Sequence, residues 1–117
     1  MSIQDMEEKE LLESVTSIVK DLETGWNEND YEKFIQHVAI DMKDSIDINN
    51  FKKQRIAAIK MLGKSSLGQP VKIHKNPNNI VIIWEILFEK RAEPGLGVYR
   101  FVETDGVIKV ESSLHHH

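Results

Sequence analysis

Asp105-Gly106 stands between two alternating segments, GVYRFVET (97–104) and VIKVES (107–112). A two-residue hairpin turn wants positive φ at both central positions, and Asp-Gly tolerates it, so the pair ties these segments into an antiparallel hairpin. The turn also sets a register. Thr104 falls opposite Val107, Val102 opposite Lys109 and Arg100 opposite Glu111, while Glu103 meets Ile108 and Phe101 meets Val110 on the other face.

Two more strands are expected upstream, VKIHK (71–75) and IVIIWEILFEK (80–90), with turns at NPNN and AEPGL. Pairing Ala92 with Gly97 across the second turn sets Phe88 beside Phe101 and builds a charge row Glu89, Arg100, Glu111. One face of this sheet then carries Val71, Ile73, Ile80, Ile82, Trp84, Ile86, Phe88, Tyr99, Phe101, Ile108 and Val110, and is expected to be the core face. The other face carries Val81, Ile83, Leu87, Val98 and Val102 among Lys72, His74, Glu85 and Lys109. A strand apolar on both sides calls for cover on both sides, so a homodimer through this outer face is expected.

Helical signals precede the strands. Leu11, Leu12, Val15, Ile18, Val19 and Leu22 recur at three- and four-residue steps, predicting an amphipathic helix over 4–24 with Gly25 as its C-cap. Asn29 or Asp30 opens a second helix, buried along Tyr31, Phe34, Ile35 and Val38. MKDSIDI (42–48) alternates and predicts a short strand. Asn49 or Asn50 caps a third helix, FKKQRIAAIKML, which stops at Gly63; GKSSLGQP (63–70) reads as a loop. Helices first and strands last give an α+β class: three N-terminal helices packed on a curved antiparallel sheet.

With 117 residues the chain is long enough for one domain with a real core. A net charge of -4 disfavours nucleic acid and anionic membrane as partners, since phosphate binding needs clustered Lys and Arg. FKKQR (51–55) is the one basic cluster, and it reads as a solvated helix face. The absence of cysteine excludes disulfides and thiol chemistry, and fits a cytoplasmic protein. No secretory leader or membrane span is expected. The domain is read as 1–113. The terminal LHHH reads as a purification-tag remnant at 114–117, which leaves His37 and His74 as the chain's own histidines.

The order of elements, with WNENDYEKF around the second helix, acids at DMKDSIDI and the closing GVYRFVETDGVIKVESS, resembles the nuclear transport factor 2-like superfamily, the cystatin-like cone, and within it the SnoaL-like small proteins. The resemblance covers nearly the whole chain. It implies a sheet wrapped around the helices to leave a conical pocket, and often a dimer through the outer face. Its members include polyketide cyclases, isomerases, dehydratases and non-catalytic ligand binders, so the fold does not fix the function.

In enzymes of this kind a carboxylate inside the cone takes a proton from carbon beside a carbonyl, and burial suits it to that task by raising its pKa. Asp44 is a candidate if it shares an inward strand face with Met42, Ile46 and Ile48; otherwise it marks the strand's exposed start. Asp41 stands where the resemblance implies a turn-holding acid. Glu103 is a pocket acid or a rim residue by the hairpin turn. His37 is a pocket acid/base or a helix C-terminal His. Trp26, Tyr31, Trp84, Tyr99 and Phe101 line a pocket for a small apolar organic ligand, or simply fill the core. No acid aligns cleanly with the isomerase base, near Ile46. No phosphate loop, nucleophile elbow, dinucleotide fingerprint or zinc signature is present, so no cofactor or metal is expected. The two functional readings are a small-molecule-binding domain, with cofactor-free acid/base chemistry as one form of it, and a dimeric association module whose cone is filled by its own side chains.

Overall fold

A computed structural model describes residues 3–117. Residues 1 and 2, at the start of the 1–113 domain, lie outside the described residues. A single 3-10 turn at Ile3–Asp5 leads into α1 (Glu8–Asn27), α2 (Tyr31–Ile35), α3 (Ile40–Ser45) and α4 (Ile48–Leu62), then β1 (Ser65–Lys75), β2 (Ile80–Phe88), β3 (Arg91–Thr104) and β4 (Val107–His116). The strands form one antiparallel sheet in the order β1-β2-β3-β4. Helices packed on one face of a curved antiparallel sheet make this an α+β cone.

The expected α1 stripe is buried at Leu11, Val15, Ile18, Val19 and Leu22, and the sheet answers with Ile80, Ile82, Trp84, Tyr99, Phe101 and Val110. Gly25 does not end α1, which runs on to Asn27. A Cβ at Gly25 would lie 2.4 Å from the Phe34 backbone nitrogen, so this glycine serves a close approach of α2 rather than a cap. Asp30 caps α2, its Oδ1 accepting from the Lys33 N–H at 3.2 Å, while Asn29 takes the left-handed turn at φ 57°. Asp47, not Asn49 or Asn50, caps α4 by accepting from the Asn50 N–H at 2.8 Å. Gly63 ends α4 at φ 76°, as expected.

The expected strand at 42–48 is the helix α3. Met42 and Ile46 are four apart, so the same apolar pair that alternates in a strand also shares one helical face. The β4 backbone beside this segment is already engaged: Val110 N–H donates to His37 O at 2.7 Å and Val110 O accepts from Ala39 at 2.8 Å. All but Gly63 and Lys64 of the expected 63–70 loop is instead the first half of β1, with Ser65 opposite Phe88 and Leu67 opposite Ile86. Pro70 is tolerated because β1 is an edge strand and the pairing shifts on both sides of it.

AEPGL is not a turn. The β2–β3 hairpin closes at Glu89-Lys90, with Phe88 opposite Arg91, and AEPGL runs inside β3. A pairing irregularity between Ile86 and Phe88 takes up Pro94. The register therefore differs from the expected one: Val81, not Glu89, faces Arg100, and Ile80, not Phe88, faces Phe101. The β3–β4 register follows the Asp-Gly turn as far as Phe101–Val110, then shifts so that Arg100 faces Ser112. Arg100 still reaches Glu111 diagonally, Nε to Oε2 at 3.0 Å. Register shifts in all three ladders bend the sheet around the helices.

Val71, placed on the core face by its alternation, is 56% exposed because the shift at Pro70 turns it outward. Ile73 and Ile108 are half-buried. On the outer face Val81, Ile83, Val98 and Val102 are half-buried and Leu87 is exposed. Val102 lies beyond the end of the β2–β3 pairing, which stops at Phe101.

Candidate functional site

The wide end of the cone holds a cavity of about 200 Å³ between α1, α4 and the sheet. Leu22, Trp26, Phe34 and Phe88 give it apolar walls, and Ala58 and Leu62 of α4 close one side. Its polar floor is Glu23, a residue that alternation and motif reasoning overlooked. Glu23 continues the Val15–Val19 stripe of α1 by four, so it is carried inward with the core residues and is 6% exposed. An acid at a stripe position was the available signal.

Buried carboxylates survive only with partners. Ser65 Oγ donates to Glu23 Oε2 at 2.5 Å. The Tyr99 hydroxyl donates to Glu23 Oε1. His115 Nε2 lies 2.9 Å from Oε1 and 3.0 Å from the Tyr99 oxygen. A carboxylate only accepts, so that nitrogen carries a proton. Burial alone pushes the Glu23 carboxyl up; the hydrogen bond and charge of His115, then the Ser65 and Tyr99 hydroxyls, outweigh it and leave the pKa below 4.5. Burial, and then the charge of Glu23, hold the Tyr99 phenol well above 10. At neutral pH the floor is therefore an anion held by a protonated phenol.

Side-chain hydrogen bonds and ring contacts tie the frame around this floor together. Asn27 clamps Ser65 from both sides: its Oδ1 accepts from Ser65 N at 2.9 Å and its Nδ2 donates to Ser65 O at 2.6 Å. Arg55 of α4 donates to Trp26 O and Asn27 O, adding to the one long backbone bond that Trp26 O accepts from Asn29 N. Phe51 of α4 packs on Trp26, Tyr31 and Phe34 at centroid distances of 5.7, 5.3 and 4.8 Å. These contacts dock α4, although its Ile56 and Met61 are each 67% exposed.

Among the residues singled out from sequence, Trp26 and Tyr99 line the cavity. Trp84 and Phe101 are fully buried in the core behind it. Tyr31 flanks it through Phe51 and donates its hydroxyl to Ile46 O at 2.7 Å. Asp44 is exposed on α3, since the strand that would have turned it inward does not form. Glu103 is exposed opposite Ile108, one residue before the end of β3, so it stands at the rim by the hairpin turn and outside the cavity lining. His37 is half-buried and pairs with Asp21 at 3.0 Å, away from the cavity lining. Asp41 lines a separate shallow groove with Arg100 and Glu111. Residues 114–117, read above as a tag remnant, continue β4 to His116 and bring His115 and His117 to the cavity mouth. No cluster of three or more His, Asp or Glu placed to hold a metal occurs among the described residues. No helix among them is long and apolar enough to cross a membrane.

No family model and no curated protein matches the chain. Solved structures share its fold at low identity. The chain is similar to Bd1075 of Bdellovibrio bacteriovorus (13% identity, TM-score 0.57), covering 89% of this chain and 39% of that one. It is similar to TerC, solved in co-crystals with polyporic acid (12% identity, TM-score 0.54, covering 86% and 88%). It is also similar to RPA3114 of Rhodopseudomonas palustris, a SEC-C motif containing protein (8% identity, TM-score 0.54, covering 97% and 80%). The chain thus spans well under half the length of Bd1075 and most of the other two.

Proposed function

We propose that this is a small-molecule-binding domain of the SnoaL-like kind, whose ligand sits in the cavity floored by Glu23 and Tyr99. The observation that carries the reading is the combination of apolar walls with one buried, hydrogen-bonded anion at the bottom. Such a site orients a mostly apolar molecule by a few polar contacts. About 200 Å³ suits a ligand little larger than one aromatic ring, since a cavity of about 150 Å³ takes benzene. That a protein of similar fold, TerC, was solved with polyporic acid agrees with a cone that holds ligands.

Binding is favoured over carbon-acid chemistry. A general base works best with a pKa near the operating pH, and Glu23 is shifted the other way by its donors. Asp44 and Glu103 are exposed and stand outside the cavity lining.

A second copy covering the outer sheet face is part of the proposal. Ile83 lies between Lys72 and Val98 in the ladders, and Val98 pairs in turn with Leu114, so an apolar row crosses three strands of that face. Native mass spectrometry of the protein as purified tests both points. The expected species is a dimer with a retained small mass that Ala58→Phe, filling the cavity, removes. Protein that retains no mass and takes up none from a fragment mixture would overturn the binding reading; a monomer at micromolar concentration would overturn the dimer.

A further inference from the structure

We propose that the ligand of this cavity is a small apolar primary amine, bound through its ammonium to Glu23, and that His115 occupies the ammonium position in the free chain. The proposal deepens the small-molecule reading above and rests on it.

A carboxylate offers about four lone-pair positions, two per oxygen. Tyr99 and His115 fill those of Oε1, and Ser65 fills one of Oε2. The Tyr99 and Ser65 contacts come from neutral hydroxyls. His115 is different. It lies in the 114–117 segment read above as a tag remnant, it is half-buried at the end of β4, and it lines the cavity beside Glu23. It is also the one basic side chain in contact with Glu23 among the described residues. Its N–H therefore stands in for the N–H of a ligand.

With the imidazole withdrawn, one open position remains on each carboxylate oxygen, and a buried carboxylate faces a largely apolar cavity. An alcohol supplies one proton and no charge. A carboxylate ligand adds repulsion. A primary ammonium has three donors and a positive charge, so it fills both open positions and neutralises the anion. The walls of Leu22, Trp26, Leu62 and Phe88 then suit the apolar body, and the indole face of Trp26 suits a cation or a ring alike.

The test is isothermal titration of full-length His115→Ala with benzylamine, benzyl alcohol, toluene and benzoate as probes. The expected result is benzylamine binding at least tenfold tighter than benzyl alcohol, no binding of benzoate, and benzylamine binding at least tenfold weaker to the unaltered chain. Adding Glu23→Gln should erase the preference for the amine; the comparison among probes stands without that variant if it fails to fold. Equal affinity for benzylamine, benzyl alcohol and toluene, or a preference for benzoate, would overturn the amine assignment while leaving the cavity a binding site. Equal benzylamine affinity in His115→Ala and the unaltered chain would overturn the occupancy by His115. No binding of any probe to His115→Ala would overturn the small-molecule reading itself.

Discussion

The Tyr99 hydroxyl donates to the buried carboxylate of Glu23, joining β3 to α1 across 76 residues of sequence. This bond closes the cone at its floor and keeps an anion in place there. Removing the phenol oxygen in Tyr99→Phe takes one donor from a buried charge. A loss of about 1–3 kcal/mol is expected, and a urea midpoint with unchanged slope measures it. The same variant should move the Glu23 carboxyl up, which a 13C side-chain titration reads.

The pH dependence follows from the two partners. Glu23 is held below its ordinary value of 4.5, so its contribution to stability is present above that value and disappears as pH falls through the lower folded pKa. Tyr99 is held well above its ordinary value of 10.0, so its contribution is complete below 10.0 and disappears as pH rises through the higher folded pKa. Chemical denaturation across pH should show a plateau with one fall on each side. Glu23→Gln should flatten the acid side, and Tyr99→Phe the alkaline side.

Gly25→Ala should be severe for a residue in a helix. Its Cβ would sit 2.4 Å from Phe34 N and 2.8 Å from Phe34 Cα, so α1 and α2 must part. Helix propensity favours Ala by up to about 1 kcal/mol, and the overlap outweighs it. Thermal unfolding should register a net loss of about 1–3 kcal/mol, with the Trp26 fluorescence altered in the folded state.

Arg55→Ala removes the side-chain donors to the Trp26 and Asn27 carbonyls and loosens α4 at the cavity wall. A loss of about 1–3 kcal/mol is expected, with faster amide exchange along α4. Arg55→Lys should recover only part of this, because one ammonium does not reproduce two divergent guanidinium donors.

The sequence was most informative where one local rule met no competitor. The Asp-Gly turn gave the hairpin and its first four pairs down to Phe101–Val110, and the α1 stripe gave the helix face that packs on the sheet. It misled where two rules shared a pattern. Met42 and Ile46 fit a strand face and a helix face equally, and a backbone already bonded at Val110 decided for the helix. Pro94 and Gly95 carry turn chemistry, yet here they serve an irregularity and a close approach inside β3, where a Cβ at Gly95 would meet His116 O at 2.3 Å. That one misplacement moved the whole β2–β3 register. Glu23 escaped notice because its partners, Ser65 and Tyr99, lie 42 and 76 residues away. A charge on a buried stripe becomes intelligible only once distant donors surround it.

The two tryptophans offer the most direct measurement. Trp26 lines the cavity, while Trp84 is buried behind it at 1% exposure. A 1H–15N spectrum of the two indole groups, recorded during titration with benzylamine on His115→Ala, reads the site directly. A saturable shift of the Trp26 signal, with Trp84 still, is the predicted result. An unmoved Trp26 up to millimolar ligand, or equal shifts of both rings, would contradict the account of the cavity as the binding site.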